Sequence, residues 1–202
     1  MINQSLIDTG SAHLIGSIRS AKATVYDGLY TLDSIIDEQS LISLKSYIDS
    51  ESDGKWKPLP RQELKVRHHI SWDSCTIIEE LNEMFKNATP VINELFPDVE
   101  KSFWGVAVWK DAPGYQIGWH TDNPDIDVAM QVYLYTEPGL GTVFGSESHP
   151  VLISSMHNSG YLMCNSADRG VPHKTENIVP DNTVRYSLYA VWSRLPKHVT
   201  DT

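Results

Sequence analysis

The sequence predicts an α+β fold, helices first and then a jelly-roll-like barrel of short strands. Three observations predict it. Apolar residues recur at helical spacing only in the first hundred positions. From Phe103 onward the pattern becomes short β-type runs separated by turn residues. The length, 202 residues, suits one domain with a full core.

Residues 1–22 are rich in Ser, Gly and isolated apolar residues, and read as a loosely docked N-terminal arm. A short strand is expected at Ala23–Tyr30. Asp33 or Ser34 then caps a helix carrying Ile35, Ile36, Leu41, Leu44 and Ile48, which ends near Asp53-Gly54. Lys55–Arg67, with its prolines, reads as an exposed loop, and Val66–Trp72 as a strand. Asp73 or Ser74 caps a second helix whose Ile77, Ile78, Leu81, Met84, Phe85 and Ala88 form a core-facing stripe. Thr89-Pro90 restarts a helix that Pro97 closes, because proline is tolerated in a first turn and not inside. Strands are expected at Phe103–Trp109, Asp127–Tyr135, Thr142–Phe144, Val151–Ser154, Gly160–Cys164 and Val184–Trp192. No repeat or low-complexity tract interrupts residues 1–202, which are expected to form a single domain.

Composition excludes several classes. A formal net charge of −10 and a pI near 5.1 oppose binding to a polyanion, so nucleic acid is not an expected partner. No apolar run approaches the length of a membrane span, and the N-terminus has no basic start followed by an apolar stretch, so a cytoplasmic location is expected. Cys75 and Cys164 lack CxxC spacing and indicate neither a disulfide framework nor a cysteine zinc site.

The segment Gly118-Trp119-His120-Thr121-Asp122-Asn123-Pro124 carries the chemistry. In extended backbone, residues two apart share a side, so His120 and Asp122 can hold one metal ion from one face. The distant His173 would complete two imidazoles and a carboxylate, a set that leaves open coordination positions and suits iron(II) oxygenases. A lone His-x-Asp triplet arises by chance roughly 0.6 times in a chain of this composition, so the surroundings decide. Twelve residues beyond His173, Arg185-Tyr186-Ser187 puts Arg185 and Ser187 on one face of an otherwise apolar strand. An inward guanidinium must be paired, and a dicarboxylate ligand would pair it.

From Val106 to Trp192 these residues resemble the iron(II)/2-oxoglutarate-dependent oxygenases, particularly the prolyl-4-hydroxylase-like branch. Pro113 to Asp122 is similar to the strand-turn segment that leads into the metal motif. Val132-Tyr133-Leu134-Tyr135 resembles the Tyr-Leu-Asn strand, Gly141-Thr142-Val143-Phe144 a reduced Gly-Gly-x-Thr-x-Phe, Gly160 to His173 the strand carrying the second histidine, and Arg185-Tyr186-Ser187-Leu188 the Arg-x-Ser clamp. Asp111 stands where many members carry tyrosine, and Tyr135 replaces the usual Asn.

The resemblance implies a double-stranded β-helix (a jelly-roll or cupin-like barrel) with the N-terminal helices packed on the major sheet. It implies iron(II) on His120, Asp122 and His173, with 2-oxoglutarate and dioxygen as co-substrates and ascorbate as an accompanying reductant. Arg185 would hold the distal carboxylate, assisted by Ser187 or Tyr133, and an unactivated C–H bond of a small-molecule, amino-acid or peptide substrate would be hydroxylated with release of succinate and carbon dioxide. No oligomeric state follows from it.

Other readings stay open at this point. Tyr133 could equally pack in the core, and Arg185 could form an ion pair. His149 or His157 could take the place of His173, whereas His68 and His69 face opposite sides of a strand and read as structural. A non-catalytic barrel binding a metal or small acid is the main rival, and a zinc hydrolase on the same three ligands is another. Residues 53–67 and the turn after Asn123 are the expected lid segments.

Overall fold

The computed structural model describes residues 2–50, 56–58, 66–70, 75–98, 100–165 and 170–194. The expected cap at Asp73 or Ser74, the break at Asp53-Gly54 and most of the expected lid at 53–67 lie outside them. The order of elements is α1 (Gln4–Arg19), β1 (Lys22–Ala23), β2 (Leu29–Asp33), α2 (Glu38–Ser50), β3 (Lys57–Pro58), β4 (Arg67–Ile70), α3 (Thr76–Asn87) and α4 (Thr89–Leu95), followed by seven strands. These are β5 (Ser102–Asp111), β6 (Val128–Leu134), β7 (Thr142–Ser146), β8 (His149–Ile153), β9 (Ser159–Cys164), β10 (His173–Thr175) and β11 (Arg185–Ser193).

The N-terminal arm is a packed helix instead. Asn3 caps it, its Oδ1 accepting from the Leu6 amide at 3.3 Å, and Ile7, Gly10, Ser11, Leu14 and Ile18 form its buried stripe. Two of those five positions are Gly and Ser, so the helical period is written partly in small residues that carry no apolar signal. The small residues are what allow the approach to α3: a Cβ on Gly10 would lie 2.2 Å from Met84 Cε.

The second helix also starts later than expected. Ser34 sits at φ 50°, and the amides of Ile35 and Ile36 donate to Asn158 Oδ1 rather than to a local cap. Asp37 performs the capping, its Oδ1 accepting from the Ser40 amide at 3.0 Å. α3 and α4 form where the apolar spacing and Thr89-Pro90 place them.

The strands form an eight-stranded antiparallel sheet in the order β1-β2-β9-β6-β11-β5-β4-β3 and a three-stranded sheet in the order β10-β7-β8. Period-two alternation sorts their side chains. Val106, Val108, Met130, Val132, Leu162, Leu188 and Ala190 pack in one cluster with the buried stripes of the helices, which therefore cover one face of the large sheet. Ala129, Tyr133, Tyr161 and Met163 point the other way and pack against Phe144 and Ile153 of the small sheet. The region resembling a single strand from Gly160 to His173 is two elements, β9 in the large sheet and β10 in the small one. Among the described residues no helix is long and apolar enough to cross a membrane.

Candidate metal centre and adjoining cavity

His120, Asp122 and His173 meet between the two sheets. The backbone of the segment 114–120 runs antiparallel to 173–179: His120 N donates to His173 O at 3.0 Å, His173 N donates to His120 O at 2.8 Å, and Val179 N donates to Tyr115 O at 3.0 Å. This pairing fixes two histidines that are 53 positions apart in sequence directly opposite one another, with ring centroids 4.3 Å apart.

Each ring is oriented by its own backbone. His120 Nδ1 lies 2.9 Å from Gly118 O and His173 Nδ1 lies 3.0 Å from Val171 O. A carbonyl can only accept, so each Nδ1 carries the proton and each Nε2 presents a lone pair. Those lone pairs face one carboxylate oxygen, Asp122 Oδ1, at 3.7 Å from His120 Nε2 and 3.5 Å from His173 Nε2. Ligand bonds of about 2.1 Å at right angles to tetrahedral put donor atoms about 3.0–3.4 Å apart, so a transition metal fits with a small contraction.

Tyr189 donates to the other oxygen, Asp122 Oδ2, at 3.0 Å. Burial works against the Asp122 carboxylate, and the hydrogen bond from the Tyr189 hydroxyl favours its charged form. Desolvation lowers the pKa of His120, which favours the neutral imidazole able to ligate.

A cavity of about 50 Å³ opens beside these three residues, lined among others by Arg67, Tyr115, Thr142, Thr175 and Arg185. Its floor is cationic. Register places Arg67, Asp111 and Arg185 side by side on β4, β5 and β11. Arg67 donates to Asp111 through Nε at 2.5 Å and Nη2 at 2.9 Å, while Arg185 donates from Nε at 2.8 Å and from Nη1 to Leu140 O at 2.8 Å. The three side chains are at most 7% exposed. Burial opposes charge on Asp111, yet the two guanidiniums hold its pKa below the ordinary range. Two cations therefore share one anion, and one positive charge is left over.

A stack joins this floor to the three candidate ligands. The Arg67 guanidinium lies 4.0 Å from the Trp109 ring, Trp109 stacks on Tyr189 at 4.1 Å, and Tyr189 reaches Asp122.

Of the expected site residues, the structure brings together His120, Asp122, His173 and Arg185. Ser187 and Tyr133 do not line the cavity. The Ser187 hydroxyl accepts from Gln131 Nε2 at 3.1 Å, and the Tyr133 hydroxyl is 2.6 Å from Thr142 Oγ1, one layer behind the wall. Burial pushes the Tyr133 phenol up to about 12, consistent with a neutral core residue. Arg185 is neither at the surface nor alone, because Asp111 occupies its fork. His149 is exposed beside Ser148, and His157 stacks on Tyr135, so neither substitutes for His173.

Sequence reasoning missed Arg67, Tyr115 and Tyr189. Arg67 falls where the expected loop Lys55–Arg67 overlaps the expected strand Val66–Trp72, and the alternation within Arg67-His68-His69-Ile70, which puts Arg67 and His69 on one face, is the signal that could have found it.

No family model and no curated protein matches the chain. Solved structures do match its fold. An oxidoreductase of the 2OG-Fe(II) oxygenase family from Burkholderia pseudomallei superposes with a TM-score of 0.65 at 14% identity, covering 96% of this chain and 94% of that one. A prolyl-4-hydroxylase from Pseudomonas putida gives 0.65 at 16%, covering 91% and 99%. HygX from Streptomyces hygroscopicus, solved with nickel and 2-oxoglutarate bound, gives 0.59 at 8%, covering 82% of each chain. At these identities the likeness establishes the shared fold.

Proposed function

We propose that the protein is a non-haem iron(II)- and 2-oxoglutarate-dependent dioxygenase, a hydroxylase built on a double-stranded β-helix that spans residues 1–202 as one domain. The carrying observation is the His120–Asp122–His173 cluster, its two lone pairs aimed at one carboxylate oxygen beside a buried cavity with a surplus positive charge. The three solved structures of the same fold support the reading.

Iron(II) in this site, with 2-oxoglutarate and dioxygen, supplies an oxidation that converts a substrate C–H to C–OH and releases succinate and carbon dioxide. The residues present fit the charges. A metal dication, Asp122 and the surplus guanidinium sum to +2, which a keto dicarboxylate neutralises. A bare metal-binding barrel or a zinc hydrolase would have no use for that buried cation.

The chain's own tasks are positioning and exclusion. The carbonyls of Gly118 and Val171 hold the imidazoles in one tautomer, and Tyr189 holds the carboxylate. On the far side of Trp109 and Tyr189 an apolar groove of about 360 Å³ runs along β5 and β11, with Trp104, Ala107 and Ile126 among its walls. A register shift in the β5–β11 pairing lies beside it: Val191 pairs with Gly105 and Trp192 with Phe103. Its uncharged walls suit an apolar part of an amino-acid or peptide substrate, a prolyl ring among them. Ascorbate would serve to keep the iron reduced.

A succinate-release assay with iron(II), ascorbate and 2-oxoglutarate against peptide and amino-acid pools tests the reading. His120→Ala and Asp122→Ala are expected to reduce turnover to background with the fold intact, and Asp122→Glu to reduce it strongly, since an added methylene displaces the ligand oxygen. Oxygen-independent activity with zinc would overturn it.

A further inference from the structure

Resting on that reading, we infer that Arg67 and Tyr115, and not the Arg185/Ser187 pair, receive the distal carboxylate of the keto diacid. Arg185 spends its Nε on Asp111 and one N–H of Nη1 on Leu140 O, and its Nη2 lies 2.7 Å from Asp111 Oδ2. It is a positioning residue that locks Asp111 in place. Ser187 is bound to Gln131 and does not reach the cavity.

Arg67 differs. Its Nε and Nη2 are engaged with Asp111, while its Nη1, with two N–H groups, makes no hydrogen bond among the described residues, although the residue is only 6% exposed and lines the cavity. Its guanidinium is oriented by Trp109 on one ring at 4.0 Å and by Tyr115 on another at 4.3 Å. Tyr115 supplies the second, independent sign. Its side chain is 0% exposed, it lines the same cavity, and its hydroxyl has no hydrogen-bond partner among the described residues.

A buried hydroxyl without a partner and a buried guanidinium with an open edge are each costly alone. A carboxylate between them satisfies both, because it accepts a charge-assisted bond from Nη1 and a bond from the phenol. Lys174 also lines the cavity, but its ammonium rests 5.0 Å from the Trp119 ring. The element supplying Arg67, β4, lies outside the residues 106–192 that carry the oxygenase resemblance.

Calorimetric titration of the manganese(II)-loaded protein without oxygen tests this, using 2-oxoglutarate and pyruvate, which lacks the distal carboxylate. Arg67→Gln and Tyr115→Phe are each expected to raise the Kd for 2-oxoglutarate about tenfold or more and to leave pyruvate unchanged. Ser187→Ala is expected to change neither. Unchanged 2-oxoglutarate binding in Tyr115→Phe, an equal loss for pyruvate, or a larger loss in Ser187→Ala overturns the assignment. Tyr115→Phe removes one oxygen and decides the matter even if Arg67→Gln fails to fold. A wild-type protein that binds no 2-oxoglutarate overturns the oxygenase reading itself, which separates the two failures.

Discussion

Asp111 is the residue on which the most charge depends. Its carboxylate, 0% exposed, is the common acceptor of Arg67 and Arg185, so Asp111→Asn would leave two buried guanidiniums facing each other across a neutral amide. Removing one partner of a buried ion pair costs about 3–5 kcal/mol, and this variant is expected to lose that much by denaturant unfolding. Part of the loss should return with saturating dicarboxylate. The acid limb of wild-type stability follows from the same group. Because its folded pKa is depressed, its contribution is present above the ordinary aspartate value and is lost as pH falls through the lower folded value. The Asn variant should lack that contribution and show a shallower acid transition.

Residues of this kind were only half legible in sequence. His120-x-Asp122 advertises itself because its spacing is local, and Arg185 does because an arginine interrupts an apolar strand. Arg67 and Asp111 sit 44 positions apart, and nothing in either neighbourhood announces the other. Their meeting is a matter of register between β4 and β5.

At the scale of elements, close approaches between backbones set the geometry. Gly160 on β9 lies opposite Val132 of β6, and an added Cβ would sit 1.8 Å from Gln131 O. Gly160→Ala must push these central strands apart or bend them, and a cost of about 1–3 kcal/mol is expected from thermal unfolding. Because Gln131 and Tyr161 share a hydrogen bond at 2.6 Å and both line the metal cavity, affinity for a metal should fall as well. The same logic explains α1. Gly10 and Ser11 in its buried stripe bring it onto α3, and that is why apolar periodicity alone read the segment as a loose arm. The two core helices α3 and α4 were legible because their stripes are large apolar residues and their boundaries carry Thr-Pro and Pro signals.

For the whole molecule, the candidate metal centre sits where segments from both sheets converge, so a bound metal would link occupancy to stability. A metal binding only the folded state at one hundred times its Kd adds about 2.7 kcal/mol. Titrating iron(II) or manganese(II) anaerobically should raise the Tm by several degrees in the wild type and not in His173→Ala. A Tm indifferent to metal in the wild type would contradict a preformed three-ligand site.

By itself, the sequence determined the α+β order of elements, six of the seven C-terminal strands within a few residues and the identity of the three metal-ligating candidates, because all of these are encoded in local periodicity and short spacing. Only the tertiary structure decided that α1 is packed, that β9 and β10 belong to different sheets, that Tyr133 and Ser187 stand behind the cavity wall and that Arg67 lines it. Each of those outcomes depends on which strands lie side by side and in which register, and register is set by the closing of two sheets over a shared core rather than by any one segment.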